Sequence, residues 1–206
     1  AAALLQKPYN EFFKVGVSEA GNHDNNIYNQ NWSEQYHGLR EVVVNDPGRV
    51  VAFSVGRNGQ IAYAYSSPTD LAELYLKAAP GAGAPRALTD LNADVLKGKT
   101  LATTESFTFV SNDLKHEVEA WLVKPPGTTA TPKHPLIVNI HGGPHGQQGP
   151  AFSFANQIYA ARGWAVLMVN YRGSTGYGQA WADAVFRDQI GDEAQDVLYG
   201  VNAAVR

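Results

Sequence analysis

The chain has 206 residues, of which 44% are hydrophobic and 17% charged, with a formal net charge of −3 and no cysteine. This length suits one large domain or two small ones, and the charge balance lacks the basic excess of a nucleic-acid binder, so we expect no nucleic-acid partner. The absence of cysteine excludes a thiolate nucleophile, disulfides and cysteine-ligated zinc. No apolar run approaches the ~20 residues of a membrane span and the start lacks a signal-peptide pattern, so we expect a soluble protein, cytoplasmic or periplasmic, with no membrane partner.

The first forty residues combine a helical start, a strand and an aromatic-rich segment. Pro8 ends the helical pattern, and FFKVGVSEA follows with the β-branched and aromatic content of a buried strand. Tyr28, Trp32 and Tyr36 are then spaced four apart, which places them on one face of a helix. From this spacing alone, the segment is interpreted as a surface helix whose aromatic stripe faces the core.

From residue 41 to residue 124 the pattern is typical of antiparallel β-structure. VVAFSVG and QIAYAYSS flank Arg57-Asn58-Gly59, a hairpin turn signal, and LAELYLKAA follows, so we expect a three-stranded meander. GAGAP is interpreted as a loop, and ALTDLNADVLKGK as a linker with a short turn of helix. ESFTFVSN and HEVEAWLVK are predicted to form a second β pair that turns near Asn112-Asp113.

The spacing of apolar residues changes after residue 124. PLIVNI and WAVLMVN are short continuous apolar runs, and between them FSFANQIYAARG has a helical pattern that ends at a glycine. Strand, helix and strand in this order predict a parallel, right-handed βαβ unit. The final GDEAQDVLYGVNAAVR is predicted to be an amphipathic helix.

Two motifs in the second half of the chain resemble ligand-binding motifs, but we expect neither of them to bind a ligand. Asp192, Glu193 and Asp196 fall within one turn at the start of the last helix, where acids chiefly favour the helix dipole, so we expect no metal there. The glycine-rich loop YRGSTGYG lacks the spacing and the lysine of a phosphate-binding loop, so we expect no nucleotide cofactor.

His141-Gly142-Gly143 directly follows the apolar run PLIVNI. At the carboxyl end of a buried parallel strand, glycines let the backbone turn sharply and present N–H groups to a developing negative charge, as in the oxyanion hole of α/β-hydrolases. A glycine turn after a strand is, however, more often only a turn. The residues alone leave both interpretations open.

Three motifs in order resemble the prolyl oligopeptidase family of serine peptidases, in particular its acylaminoacyl-peptidase branch: the strand with HGGPH, the strand with NYRGSTGYG, and the helix beginning GDEAQDV. The similarity runs from residue 41 to 206. It implies an α/β fold, a partial α/β-hydrolase sheet with an attached antiparallel, propeller-blade-like segment. It also implies acyl-enzyme hydrolysis of peptide bonds in short peptides or acylated N-termini, without cofactor or metal, and His141, Gly142 and Gly143 as the oxyanion-side loop.

Residues 1–40 resemble the same family, most closely the segment that follows the nucleophile elbow in its dipeptidyl-peptidase branch. In this chain that segment comes first, out of the family's order. The resemblance implies that Tyr28 and Trp32 line the substrate pocket. We therefore divide the chain into a hydrolase-like segment (1–40), a blade-like β meander with linker (41–104) and the N-terminal half of an α/β-hydrolase domain (105–206).

No catalytic residue is identifiable from the sequence. A serine nucleophile needs a strained strand-to-helix turn, usually G-x-S-x-G, with a histidine and an acid. Ser18, in GVSEA, is a weak candidate because the second glycine is missing; Ser54 lies in a predicted hairpin strand, and Ser174 in the RGSTG loop. His116 and His134 are interpreted as solvated surface residues.

Two explanations for the missing elbow stay open: the sequence joins non-adjacent segments, or a short gene product has lost its catalytic centre. In either case we expect the chain alone to be inactive. The alternative function is a non-catalytic, β-rich binding or assembly module that self-associates through exposed sheet edges. A small-ester hydrolase would share the His-Gly-Gly loop and would need the same serine.

Overall fold

The computed structural model describes residues 44, 46–78, 83–128, 133–188 and 190–205. The strand and aromatic helix predicted within residues 1–40 lie outside these ranges, and so do Ser18, Tyr28 and Trp32.

Eight strands and four helices are present in the described ranges. In chain order they are β1 (Arg49–Val55), β2 (Ile61–Ser66), β3 (Glu73–Lys77), β4 (Arg86–Ala87), α1 (Ala93–Leu96), β5 (Thr103–Val110), β6 (Glu117–Lys124), β7 (Leu136–Asn139), α2 (Phe154–Ala161), β8 (Ala165–Val169), α3 (Gln179–Asp183) and α4 (Asp192–Ala204).

The first sheet is antiparallel, in the order β1-β2-β3-β4. Its first hairpin turns where the sequence predicts it: Gly56 N–H donates to the Gln60 carbonyl at 2.7 Å, and Gly59 adopts a φ of 80°. The three-stranded meander is confirmed. The additional strand β4 was not predicted, because two residues are too few to show an alternating pattern.

The second sheet has the order β5-β6-β8-β7, and its only parallel pair among the described strands is β7 with β8. The strand–helix–strand unit is therefore confirmed. Its helix α2 begins where the Ser153 side chain accepts the Asn156 N–H, and it ends before Gly163, which adopts a φ of 83°.

The core lies on both faces of the second sheet. On one face, helix α4 packs against a buried cluster that includes Leu167 and Val169 of β8. Val166 and Met168 point to the other face, where Ala160 of α2 covers them. Because successive residues of β8 alternate between two covered faces, this strand is fixed in place, and so is the loop that follows it.

Within the described ranges, no helix is both long enough and apolar enough to cross a membrane.

Candidate functional site

The loops that follow β7 and β8 meet at one edge of the second sheet. β7 ends at Asn139 and β8 at Val169, and the two strands run parallel. Their carboxyl ends therefore open on the same side, which is where open α/β sheets bind ligands. The loop beginning at His141 and the loop 170–178 pack against each other at this edge.

Residues of the loop 170–178, the second loop, contact His141. Its Nε2 lies 2.9 Å from Ser174 Oγ, and its ring stacks on Tyr171 with 4.4 Å between the ring centroids. The Tyr171 hydroxyl donates to the His141 carbonyl oxygen. Burial lowers the pKa of His141 below its ordinary value, so the imidazole is held neutral at physiological pH.

Gly142 and Gly143 lie at the surface. Neither amide N–H finds an acceptor among the residues that the structure describes. Gly143 adopts a φ of 138°, and a Cβ there would lie 2.7 Å from the His145 backbone nitrogen, so only glycine fits. Two exposed N–H groups beside a strand end can donate to an oxygen that acquires negative charge.

Asn170 ties the two loops together from below. This buried residue accepts the Gln148 N–H at 2.9 Å and donates to the Gln148 carbonyl at 2.8 Å. Thr175 N–H also donates to the Gly146 carbonyl at 2.8 Å. These contacts hold the glycine loop to a strand of the covered sheet rather than leaving it to solvent.

Arg172 forms a buried ionic network beneath the second loop. Its guanidinium contacts both carboxylate oxygens of Asp196, at 2.7 and 2.9 Å, and Asp192 at 2.7 Å. Arg172 is 2% exposed and Asp196 is fully buried. The hydrogen bond to Asp196 raises the pKa of Arg172, so the guanidinium stays protonated.

The interpretation of Asp196 as a helix-dipole acid is therefore wrong. Helical periodicity places an acid in a turn but does not show which cation faces it across the fold. Glu193 does act at the start of α4, where it accepts the Ile190 and Gly191 N–H groups. Among the described residues, no cluster of three or more His, Asp or Glu side chains could hold a metal ion.

Neither described serine that the sequence raised sits in a nucleophile elbow. Ser54 lies in β1 opposite Ala62, as the hairpin prediction requires. Ser174 makes a serine–histidine contact with His141, but it is fully buried and cannot reach a substrate. This contact positions the loop.

Two further histidines of the described ranges, His134 and His145, contact backbone carbonyls. His134 Nδ1 lies 3.0 Å from the Gly163 carbonyl, and His145 Nδ1 lies 3.0 Å from the Gly173 carbonyl. The prediction that His134 is merely solvated is wrong, because it bridges two segments 29 residues apart. His116 is half exposed and contacts Asp113.

Sequence reasoning missed Asn170, Tyr171, Arg172 and Ser174 as supports of the loop. The available signal was their position directly after an apolar strand parallel to β7.

In α/β-hydrolases a glycine turn of this kind follows a strand of the parallel sheet and supplies part of the oxyanion hole. Residues 150–206 match the model of the prolyl oligopeptidase family. The chain is 36% identical over 119 residues to the uncharacterized peptidase YuxL of Bacillus subtilis, covering 58% of this chain and 18% of that protein. It is 36% identical over 88 residues to dipeptidyl-peptidase 5 of Schizosaccharomyces pombe, covering 42% and 13%.

Among solved structures, the acylaminoacyl peptidase of Pyrococcus horikoshii superposes with a TM-score of 0.70 at 31% identity, covering 79% of this chain and 25% of that enzyme. These matches identify residues 150–206 with the prolyl oligopeptidase family, and the residues around them resemble a segment of its members. The chain spans a quarter or less of the length of these relatives.

Proposed function

We propose that this chain supplies the oxyanion side of a serine peptidase active site. In the whole enzyme, that site cleaves peptide bonds of short peptides or acylated N-termini through an acyl-enzyme. The observation that carries the proposal is the pair of exposed Gly142 and Gly143 N–H groups at the carboxyl end of β7, without acceptors among the described residues. Relatives named as a peptidase, a dipeptidyl-peptidase and an acylaminoacyl peptidase support the substrate class.

The loop stabilises charge rather than moving protons. When a serine oxygen attacks the carbonyl carbon, the carbonyl oxygen becomes negative, and N–H groups already aimed at it lower the barrier. His141 positions these groups through Ser174 and Tyr171. Because His141 is kept neutral, it adds no charge that would bind a substrate carboxylate in the oxyanion position.

We further propose that the nucleophile lies on another strand, paired with the free edge of β7. β8 occupies one edge of β7, and the other edge has no partner among the described strands. Parallel strands are normally covered on both faces, yet Ile140, directly after β7, is more than half exposed. An elbow strand paired with this edge would cover Ile140, and the chain alone would then be inactive.

The remaining assignments of the sequence are proposals supported by resemblance. They are the blade-like nature of residues 41–104, the half-hydrolase boundary at 105, and Tyr28 and Trp32 as pocket residues. The four-stranded β1–β4 sheet, whose edge strand β1 is exposed, is compatible with one blade whose neighbours would lie outside the described residues.

Two experiments test the proposal. A serine-reactive fluorophosphonate should leave the purified 206-residue chain essentially unlabelled. Stoichiometric labelling, at Ser18 above all, would show that the chain has its own nucleophile.

The second experiment grafts residues 103–205 into the P. horikoshii acylaminoacyl peptidase in place of its matching segment, so that the host supplies the nucleophile. The graft should hydrolyse an acetylated amino-acid nitroanilide, and Gly143→Ala should lower kcat by roughly 10²- to 10³-fold. Gly149→Ala is the matched control, because a Cβ at Gly149 meets nothing within 4 Å. An unchanged kcat in a folded Gly143→Ala graft would refute the oxyanion role.

One observation favours the alternative of a binding or assembly module. All seven residues of the edge strand β1 are exposed, including Val51 and Phe53. A module that pairs through this edge should dimerise with rising concentration. A monomer of 22.2 kDa by size-exclusion chromatography with light scattering would argue against it.

A further inference from the structure

A groove of about 530 Å³ borders the glycine loop. Pro144 and His145 form the wall contributed by this loop, and Asp183, Phe186 and Arg187 form the wall contributed by the chain from the end of α3 onward. This volume is within the range of protein pockets that take small ligands. The groove therefore begins where the proposed oxyanion-side loop ends.

The floor of the groove is rigid. Val185 is 7% exposed and packs onto Gly173, where a Cβ would lie 2.7 Å from Val185 and 3.4 Å from Pro144. Gly173 itself has a φ of 101°, which favours glycine. Both walls are thus anchored to the loop after β8.

The outer wall carries backbone strain. Arg187 and Ile190 adopt φ values of 63° and 66°, in the left-handed region that non-glycine residues rarely enter. Residues in this conformation cost free energy, and they cluster at ligand-binding segments. Arg187 lines the groove and Ile190 lies three residues beyond it, so the strained backbone begins at the end of this wall.

The same wall presents a cation on an exposed aromatic ring. Phe186 is 74% exposed, and the Arg187 guanidinium carbon lies 5.1 Å from its ring centroid. In the ranges that the structure describes, Arg187 has no carboxylate partner. Asp183, the acid of the groove, already accepts a hydrogen bond from Gln179 at 2.6 Å.

We propose that this groove binds the carboxylate end of a short peptide. Arg187 pairs with the C-terminal carboxylate, Phe186 contacts the last side chain, and Asp183 keeps the carboxylate at the Arg187 end by repulsion. The inference rests on the proposed function and deepens it. The groove borders Pro144, next to the proposed oxyanion position. The C-terminal carboxylate of a substrate lies on the leaving-group side of the cleaved bond. The site therefore favours substrates with a short leaving group that ends in a free carboxylate.

The test uses the full 206-residue chain and two probes, N-acetyl-Gly-Phe and its C-terminal amide, with affinities measured by NMR titration. The free acid should bind about fivefold more tightly than the amide, the gain expected of one exposed charge pair. Arg187→Gln should abolish this preference, and Arg187→Lys should retain part of it. Arg162→Gln is the control, because Arg162 is exposed at the end of α2, away from the groove.

Equal affinities for acid and amide, no binding of either, or a preference that survives in Arg187→Gln would overturn the inference. If Arg187→Gln fails to fold by circular dichroism, Arg187→Asn decides in its place, since asparagine tolerates a left-handed φ. Binding needs no nucleophile, so an inactive graft leaves this test intact. If the graft is active but the chain binds acid and amide equally well, the proposed peptidase role stands and only the proposal for the groove is refuted.

Discussion

The two sheets bury very different shares of their residues. All seven residues of β1 in the first sheet are exposed, whereas four of the five residues of β8 in the second are buried. Both strands are rich in valine and would be judged equally apolar in sequence. The difference shows that an apolar strand pattern does not reveal whether anything covers the strand, and that the candidate site is built on the covered sheet.

The largest expected effect comes from the ionic network under the second sheet. Arg172→Ala leaves Asp196 buried without its partner, and we expect a loss of about 3–5 kcal/mol in the free energy of unfolding, measured by urea denaturation. The control is Lys124→Ala, which breaks the exposed Lys124–Glu105 pair and should cost at most about 1 kcal/mol. Equal losses would mean that burial does not distinguish the two pairs.

Next comes a matched pair of truncations, one in each sheet. Leu167→Ala removes a fully buried side chain of β8 and should cost about 2–5 kcal/mol. Val51→Ala in β1, where the side chain is half exposed, should change stability by no more than about 0.5 kcal/mol. A large loss at Val51 in thermal or urea unfolding would reveal a cover over the first sheet.

A smaller effect is expected at the clasp of the glycine loop. Ser174→Ala removes the hydrogen bond to His141 Nε2 and should cost about 1–2 kcal/mol. It should also speed hydrogen exchange in the loop at Gly146, whose N–H donates to Pro144. Ser54→Ala in the exposed strand β1 is the control and should leave both measurements unchanged. If Ser174→Ala changes neither stability nor hydrogen exchange at Gly146, Ser174 does not position the loop.

The pH dependence of the second sheet should include a contribution from His141. Its pKa in the folded chain lies below the ordinary 6.5, so the unfolded chain takes up the proton first as the pH falls. Stability should therefore be full above pH 6.5 and decline below it. His141→Gln should flatten the unfolding free energy between pH 7.5 and the folded pKa, and an unchanged profile would contradict the burial of this ring.

The first sheet should respond only at lower pH. The Thr89 hydroxyl, aided by Asn92, holds the pKa of Glu73 at about 2, below its ordinary 4.5. Glu73 should thus contribute stability above pH 4.5 that is lost as the pH falls towards 2. Thr89→Val should raise the pKa of Glu73 in an NMR titration, and a pKa that stays at about 2 would show that the hydroxyl is not its cause.

Most of the fold could be predicted because its signals are local. Arg57-Asn58-Gly59 predicts the first hairpin, and Gly163 predicts the end of α2. The two-residue strand β4 escaped prediction, since its pairing depends on β3 and not on its own residues. The strands around the site were found for the same reason as the hairpin: each is a short apolar run bounded by turn residues.

The candidate site was predictable only in part. The place of Gly142 and Gly143 follows from their position after β7, but their supports lie about 30 residues further along the chain. Ser174 was weighed as a nucleophile, and only its complete burial shows that it holds His141 instead.

The positions of strands, caps and glycine turns follow from the amino-acid sequence, because side chains within a few residues control these features. Which charges and hydroxyls meet depends instead on how the elements pack in three dimensions. Asp196 has the same carboxylate as its neighbour Asp192, yet it lies fully buried against Arg172. The energy of such a contact depends on distance and burial, and both arise only when the helix packs on the sheet.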